Sequence, residues 1–475
     1  MKEHRTKIMD EITAILDMSR TSEEIISDLK EKSVDVPKWE ELIKQYDPKE
    51  HEIITDTVTR KDKTRSDGVI EAASRIYLGL EKLSVKRMTE FMFAIPVKRV
   101  YNNVNDDDIK QQIVKAVEAI YKYARIDTEN LKRSRSYFAS CEICTFWYAV
   151  EKKNSLYGFD SKYKLKCKTY SPMDGYKLYP LFDEYDDMLA MSFEYKKTIK
   201  DEDVRFFETF TEERHLKWKE GITGWEILID EKIKLGKIPL IYAFRPDPIY
   251  HGLSHIRKEI EYTLSRNSDV IAYNSAPILK VVGGLKGEED KGESRRVYRT
   301  EKGGDVGYVA WQQAIEALKY HIDTLLRMFF MQLQLPDISF DNMKSLGNIG
   351  FDARQTLLTD AHLKVGDEMG DLMEFLEREA NVIKSFLKWM NPKWASAIDD
   401  IDIEHIITPF IQNDEKAEFE KRIIANGGKA IESQLESIQR AGLSSNPKET
   451  LAQIQSEEKV VAQNSRVMDV FNTAE

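Results

Sequence analysis

The sequence predicts an α+β chain, mainly α, and three observations carry that reading. Apolar residues recur at helical spacing through both ends of the chain. Between about residues 147 and 238 they give way to short aromatic and β-branched runs separated by Gly, Pro and Asp. Two long amphipathic segments then bracket a glycine-rich insertion with strand character. With 475 residues, 41% hydrophobic and 10% aromatic, the composition is that of an ordinary folded chain with room for several compact units.

The first 45 residues place Ile8, Ile12, Ile15 and Leu16, then Ile25, Leu29 and Leu42, at helical spacing, which predicts two or three helices. Asp47 to Gly68 is rich in Asp, Thr and Lys and reads as an exposed loop or flexible hairpin. A second helical block leads through FMFAIPVKRVY, interrupted at Pro96. Asp106, Asp107 and Asp108 then put carboxylates at a helix start, followed by the stripe Ile109, Ile113, Val117 and Ile120 up to Ala124. The runs KLKCKTYSPMDGYKLYPLF, LAMSFEYKK, VRFFETFTEERHLKWK and GWEILID predict a meander, closed by Pro239, Pro246 and Pro248.

A helix follows over 254–274, with Ile256, Ile260, Leu264 and Ile271 on its apolar face and Arg257, Lys258, Glu261 and Asp269 elsewhere. A second runs over 311–334 with Ile315, Leu318, Ile322, Leu325 and Phe329. The segment between them holds two β-like runs and reads as a small tip held away from the body. Leu335-Pro336 ends the second helix, and a loop at 337–350 precedes a third helix from near Phe351 to Met390, with Gly366 and Gly370 as candidate kinks. Asn391-Pro392 stops that helix. A strand in DIDIEHIITPFI follows, then a charged tail from Asn413, divided into short helices at Gly427-Gly428 and Ser444-Ser445-Asn446-Pro447.

No run approaches the roughly 18 apolar residues of a membrane span, and MKEHRTKIMDEITAILD carries charges where a signal peptide would be apolar, so synthesis in the cytoplasm is expected. Three cysteines, Cys141, Cys144 and Cys167, leave one thiol unpaired in any intramolecular scheme and argue against a disulfide framework. Cys141-x-x-Cys144 has the spacing of a zinc or redox pair, yet no second ligand pair accompanies it, and two small thiols in a core segment are the better reading. A net charge of -11 argues against a protein that wraps tightly around nucleic acid.

Catalytic signatures are weak. No GxxxxGK[ST] phosphate loop occurs. His251 and His255 lack the Glu that a metalloprotease places after its first His. Asp399, Asp400, Asp402 and Glu404 resemble a carboxylate cluster for a hard cation, but alternation puts Asp400, Asp402 and Glu404 on one strand face, the pattern of a solvated edge. The glycines at 283, 284 and 287 match no dinucleotide pattern and read as a turn. No catalytic residue, metal or cofactor is expected.

The order of mixed body, helix, β tip, helix, glycine-containing loop, long helix and helical tail is unusual. It resembles the portal family of tailed bacteriophages, in the branch infecting Gram-positive hosts. The likeness is carried by GKIPLIYAFRPDPIYHGLSHIRKEIEYTLSRNSDVIAYNSAPILKVVGG, LPDISFDNMKSLGNIGFDARQTLLTDAHLKVGD and DIDIEHIITPFIQNDEKAE, and it spans nearly the whole chain. The resemblance implies a homo-oligomeric ring, commonly of twelve subunits, at the capsid vertex of the virion. Double-stranded DNA would pass through it without sequence specificity. Partners would be terminase, the major capsid and scaffolding proteins, and head-completion or connector proteins, with no membrane.

By the same likeness 1–250 would be the wing, 251–274 and 311–336 the stem helices, 275–310 the clip and 337–350 the tunnel loop. Residues 351–412 would return to the wing and 413–475 would form the crown. The tunnel loop would present Asn342, Met343, Lys344, Ser345, Leu346, Gly347 and Asn348 to DNA. The clip would dock partners through Lys286, Lys291, Arg295, Arg296, Arg299 and Lys302, interspersed with Glu288, Glu289, Asp290 and Glu293. An acidic chain suits such a conduit, because tight phosphate binding would obstruct sliding. The alternatives are a metal-dependent nuclease and a helical capsid scaffold without a channel.

Overall fold

The computed structural model describes residues 12–64, 68–104, 107–274, 278–283, 285–290, 296–300, 303–309, 315–336 and 358–410, and in the tail 423–424, 432–441 and 448–458. It divides into two compact units, Met1–Asn348 with Arg354–Phe410, and Ile349–Ala353 with Ile411–Glu475. The α+β, mainly α, character expected from the sequence is present.

Helix α1 (Ser22–Glu31) opens with a capping box, in which Thr21 accepts from the Glu24 amide and Glu24 accepts from the Thr21 amide. Helices α2 (Trp39–Tyr46) and α3 (Glu52–Thr55) and the strand pair β1 (Lys63–Thr64) and β2 (Ile70–Glu71) follow. The exposed loop expected at Asp47 to Gly68 is therefore only partly one, since His51 and Ile53 are fully buried. Beyond α4 (Leu80–Phe93) and β3 (Lys98–Asn102), Asp107 caps α5 (Asp108–Ala124) by accepting from the amides of Ile109 and Lys110, as the acidic cluster predicts. Ile113, Val117 and Ile120 are buried, but Ile109 is 49% exposed, because the first turn of α5 overhangs the core. Helix α6 (Ile126–Ser140) starts directly after Arg125, which takes a left-handed φ of 56°.

The strand-rich region holds β4 (Glu142–Asn154), β5 (Ser161–Tyr170), β6 (Lys177–Phe182), β7 (Met188–Ile199), β8 (Glu202–Phe210), β9 (Arg214–Gly221), β10 (Gly224–Lys232) and β11 (Leu240–Phe244). Strands β6 to β10 form an antiparallel meander in sequence order, and β11, β4 and β5 form a three-stranded sheet. Alternation gives the meander two buried faces. Phe207, Leu216 and Trp218 pack under Ile25, Ile26 and Leu29 of α1, whereas Met191, Phe193 and Phe210 pack with Cys144, Leu240 and Tyr242 of the smaller sheet. The largest core joins α4, α5 and α6 to the long C-terminal helix.

Helices α7 (Ser254–Asn274) and α8 (Ile315–Leu333) pack on each other. Among the described residues the chain between them contains four strands rather than two runs: β12 (Ile278–Val282), β13 (Leu285–Asp290), β14 (Arg296–Thr300) and β15 (Asp305–Val309). Strand β12 pairs with β15 and β13 with β14, so one hairpin is nested inside the other. Gly283 has φ +94°, and a Cβ there would stand 3.3 Å from Gly304 Cα, so the return of the chain requires glycine.

Helix α9 (Thr359–Met390) runs uninterrupted through Gly366 and Gly370, where an added Cβ would meet nothing within 4 Å. It stops at Asn391-Pro392. Helix α10 (Ala395–Asp400) then precedes β16 (Asp402–Ile406), which pairs with β3. In the second unit α11 (Gln434–Ala441) begins at a Ser433–Glu436 capping box, and a further helix spans 448–458.

Candidate functional site: a braced helix pair carrying a β module

Helix α7 has a polar face at four-residue spacing, Arg257, Glu261, Ser265 and Asp269, and the chain leading into α4 runs along it. The amides of Leu78, Ile76 and Ser74 donate in turn to Glu261 Oε1 (2.8 Å), Ser265 Oγ (2.9 Å) and Asp269 Oδ1 (2.8 Å). Two residues of extended chain advance about 6.6 Å and four residues of helix about 6.0 Å, so the two repeats match. This segment is a strap in register with the helix.

Ionic contacts lock its ends. Arg257 donates from Nε to Glu81 (2.8 Å) and from Nη1 to Glu261 (2.7 Å), with these side chains at most 6% exposed. His51 places Nδ1 2.7 Å from Glu261 Oε1 and Nε2 2.9 Å from the Gln45 carbonyl. Arg60 Nη2 reaches Asp269 Oδ2 at 2.5 Å, and the Tyr262 hydroxyl donates to Asp56 at 2.7 Å. Burial pushes the Glu81 carboxyl up against the pull of Arg257. For Glu261 burial is outweighed by donors from His51, Leu78 and Arg257, and its pKa is lowered. The body thus holds α7 by charge-assisted bonds that direct its axis, which apolar packing alone does not do.

A second anchor lies under the strand body. Arg133 of α6 and Glu379 of α9 form a bidentate pair at 2.7 and 2.9 Å, buried to 2% or less, and Trp147 Nε1 of β4 donates to the same carboxylate at 2.9 Å.

The residues singled out from the sequence fare differently. Asn342, Met343, Lys344, Ser345, Leu346, Gly347 and Asn348 lie outside the described residues, as do Lys291, Arg295 and Lys302. Lys286 falls at the irregularity in β13, while the backbone of β14 sets Arg299 opposite Gly287 and Arg296 opposite Asp290. Cys141 and Cys144 are fully buried, and burial pushes the Cys141 thiol up to about 12 and the Cys144 thiol well above its usual range, which suits core packing. His251 is exposed and faces Asp247 at 3.1 Å.

The acidic cluster does not share one strand face. Asp399 and Asp400 end α10, and only Asp402 and Glu404 lie on the exposed side of β16, because the chain is still helical at Asp400. Asp399 pairs with Lys388, and Asp400 faces Lys110 at 3.5 Å. Likewise Ile271, expected on the apolar face of α7, is 53% exposed.

The brace residues were missed as a group. Arg257, Glu261 and Asp269 were placed only off the apolar face of their helix, and His51 fell in a stretch read as loop. The available signal was the unbroken four-residue polar repeat on a helix that already has an apolar face.

Among the described residues no helix is long and apolar enough to cross a membrane. No curated protein matches the chain. Among solved structures it is similar to a chain in the neck of an empty gene transfer agent particle computed with C6 symmetry. That match has a TM-score of 0.39 and 11% identity, covering 84% of this chain and 95% of the other. A chain from the virion of a native gene transfer agent particle gives 0.36 and 11%, covering 89% and 98%. The model of the family described as phage portal protein, SPP1 Gp6-like, matches residues 27–464, and on that match over most of its length the chain belongs to the phage portal family.

Proposed function

We propose that the chain is one subunit of a portal ring at the capsid vertex of a tailed phage of the branch infecting Gram-positive hosts, made in the bacterial cytoplasm. Twelve copies would surround a channel through which double-stranded DNA enters and leaves. In this reading α7 and α8 are the stem and the nested hairpins the clip, which docks terminase during packaging and head-completion or connector proteins afterwards. The loop 337–350 faces DNA, the tail after Asn413 is the crown, and the body is the wing meeting major capsid and scaffolding proteins.

The observation that carries this reading is the family match over residues 27–464, and the braced pair gives it a physical basis. A duplex presents a phosphate about every 1.7 Å of its axis, so a conduit meets a changing register and gains from fixed geometry more than from affinity. The strap and the Arg257–Glu81 bond supply such a fixture for α7.

Negative-stain imaging and light scattering of the purified protein test the reading. Annular particles are expected, and a monomer at every salt concentration would overturn it. Shortening the loop 337–350 is expected to leave rings intact and to impair packaging or DNA retention. Normal packaging by such rings would refute the loop's role.

A further inference from the structure

The hairpin of β4 and β5 carries a row of cations without matching carboxylates. Residues two apart in a strand face the same way, so Lys162, Lys164, Lys166 and Lys168 of β5 line one face over about 20 Å. The register sets Phe146 opposite Lys168, Tyr148 opposite Lys166 and Val150 opposite Lys164, with all three β4 residues half-buried. Near the turn the pairing shifts between Glu151 and Asn154, where the extra residue belongs to β4, so the β5 row is unbroken. Lys162, Lys166 and Lys168 are exposed, and Lys164 is half-buried.

Strand β5 contains no acid. In β4, Glu142 is buried and accepts from Tyr242, and Glu151 stands opposite Tyr163 on the other face. Among the described residues none of the four lysines has a carboxylate within ion-pair distance. Lys168 instead donates to the Tyr176 hydroxyl at 2.9 Å, and Lys164 lies 5.7 Å over the Tyr123 ring at the end of α5. The meander is built differently. There Lys217 meets Glu208 at 2.6 Å, Arg214 meets Asp230 at 2.7 Å and Arg205 meets Glu220, each acid lying on the neighbouring strand. The β5 row is thus a local cationic surface on a chain of net charge -11.

All four groups are lysines, compact charges on flexible stems, and none is the planar arginine fork that reads a base edge or clamps one phosphate. A row of about 20 Å is longer than the roughly 12 Å width of a major groove, so its ammonium groups reach phosphates on both sides of a groove in any register. We propose that this face of the β4–β5 hairpin docks duplex DNA by its phosphates, without sequence preference and apart from the loop 337–350. Four such contacts are few, which gives the weak and salt-sensitive hold that an acidic chain can release. The choice of duplex DNA among polyanions rests on the portal reading above, whereas the cationic face itself does not.

The test measures binding of a short fluorescent DNA duplex to the full chain across salt concentrations, with light scattering on the same samples to record rings. Counter-ion release from four phosphates predicts that affinity falls about a hundredfold between about 50 and 200 mM salt. The double variant K162Q/K166Q removes two contacts, so it should bind more weakly throughout and lose only about tenfold over that range. K196Q/K197Q removes the same charge from exposed lysines of β7 and should keep the wild-type salt dependence. Lys162 and Lys166 are exposed, so circular dichroism and melting of K162Q/K166Q should match wild type. If that check fails, K166Q alone takes its place, with an expected loss of about fortyfold over the same range. The proposal is overturned if K162Q/K166Q keeps the wild-type salt dependence, if K196Q/K197Q weakens it equally, or if wild type leaves the duplex unbound at about 50 mM salt. It is also overturned if K162Q/K166Q loses binding to poly-L-glutamate and keeps binding to the duplex, which would assign the face to an acidic protein segment. Rings are scored separately, and protein that forms none overturns the ring reading whatever the duplex does.

Discussion

His51 Nδ1 and Glu261 Oε1 stand 2.7 Å apart with neither side chain reached by solvent, and they join a loop before the first long helix to the middle of α7. Glu261 also accepts from Arg257 and from the Leu78 amide, so three donors converge on one carboxylate. Deleting the acceptor strands all three, whereas deleting one donor leaves the others in place. Glu261→Leu is therefore expected to destabilise the fold by about 3–5 kcal/mol, as for a broken buried ion pair. Ser265→Ala, which removes one neutral acceptor, should cost about 1 kcal/mol. Urea unfolding of the two variants beside wild type measures the order, and equal midpoints would show that the strap does not hold α7.

How much of this was visible in the sequence follows from what periodicity reports. Amphipathic spacing located α5, α7, α8 and α9, because their apolar stripes are intrinsic to the segments. The meander was legible from its aromatic and β-branched runs between turn residues. Periodicity does not say which polar face is solvated. Arg257, Glu261 and Asp269 have the composition of a wet surface, yet Glu81 and the chain from Ser74 to Leu78, 183 to 195 residues from its partners on α7, bury Arg257 and Glu261 and leave Asp269 about a third exposed. The same limit explains Asp400, which alternation placed on a strand although Trp394 and Ile398 pull the segment into a helix against the core.

The buried pair of Arg133 and Glu379 gives a second stability prediction. Glu379 receives both guanidinium nitrogens and the indole of Trp147, and Arg133 also lies 4.7 Å over the Phe375 ring. Trp147→Phe keeps most of the packing and leaves the carboxylate its bidentate partner, so a loss of about 1–2 kcal/mol is expected. Glu379→Leu leaves Arg133 charged and unpaired in the core and should cost about 3–5 kcal/mol. Replacing both Arg133 and Glu379 by Met should recover part of that loss. Denaturant midpoints of the three variants check the ordering, which fails if the double replacement is the least stable.

Glu142 makes stability fall as pH rises. Its carboxyl is buried on β4 and accepts from the Tyr242 hydroxyl at 2.8 Å. Burial pushes its pKa from 4.5 up to about 7, and the tyrosine only partly offsets this. Between these values the unfolded chain has released the proton and the folded chain retains it, so stability declines from pH 4.5 to 7 and stays low above. Glu142→Gln keeps an acceptor for Tyr242 without the buried charge. It should be more stable than wild type at pH 8, by at most about 3 kcal/mol, with the difference closing below the unfolded value. Melting temperatures at pH 8 and pH 4.5 decide it, and a constant difference would refute the assignment.

His405 acts in the opposite sense over an overlapping window. It lies on the inner side of β16 at 1% exposure, directly across from Arg99 on β3, with its ring edge to Tyr121 of α5. Neither ring nitrogen has a partner among the described residues. Burial first, and then the guanidinium groups of Arg99 and Arg133, lower its pKa from 6.5 to about 4, with Glu379 opposing. As pH falls from 6.5 toward 4 the unfolded chain takes up a proton that the folded chain refuses, so stability present above 6.5 is progressively lost. His405→Phe fills a similar volume without buried nitrogens, and it should match or exceed wild type at pH 7.5 and gain further as the solution is acidified. Acidification relieves Glu142 while it penalises His405, so the wild-type melting temperature should vary little between pH 6.5 and 4.5. In that interval Glu142→Gln should melt lower as the pH drops and His405→Phe higher. If the single variants stay as flat as wild type, neither group is titrating in the folded chain as assigned.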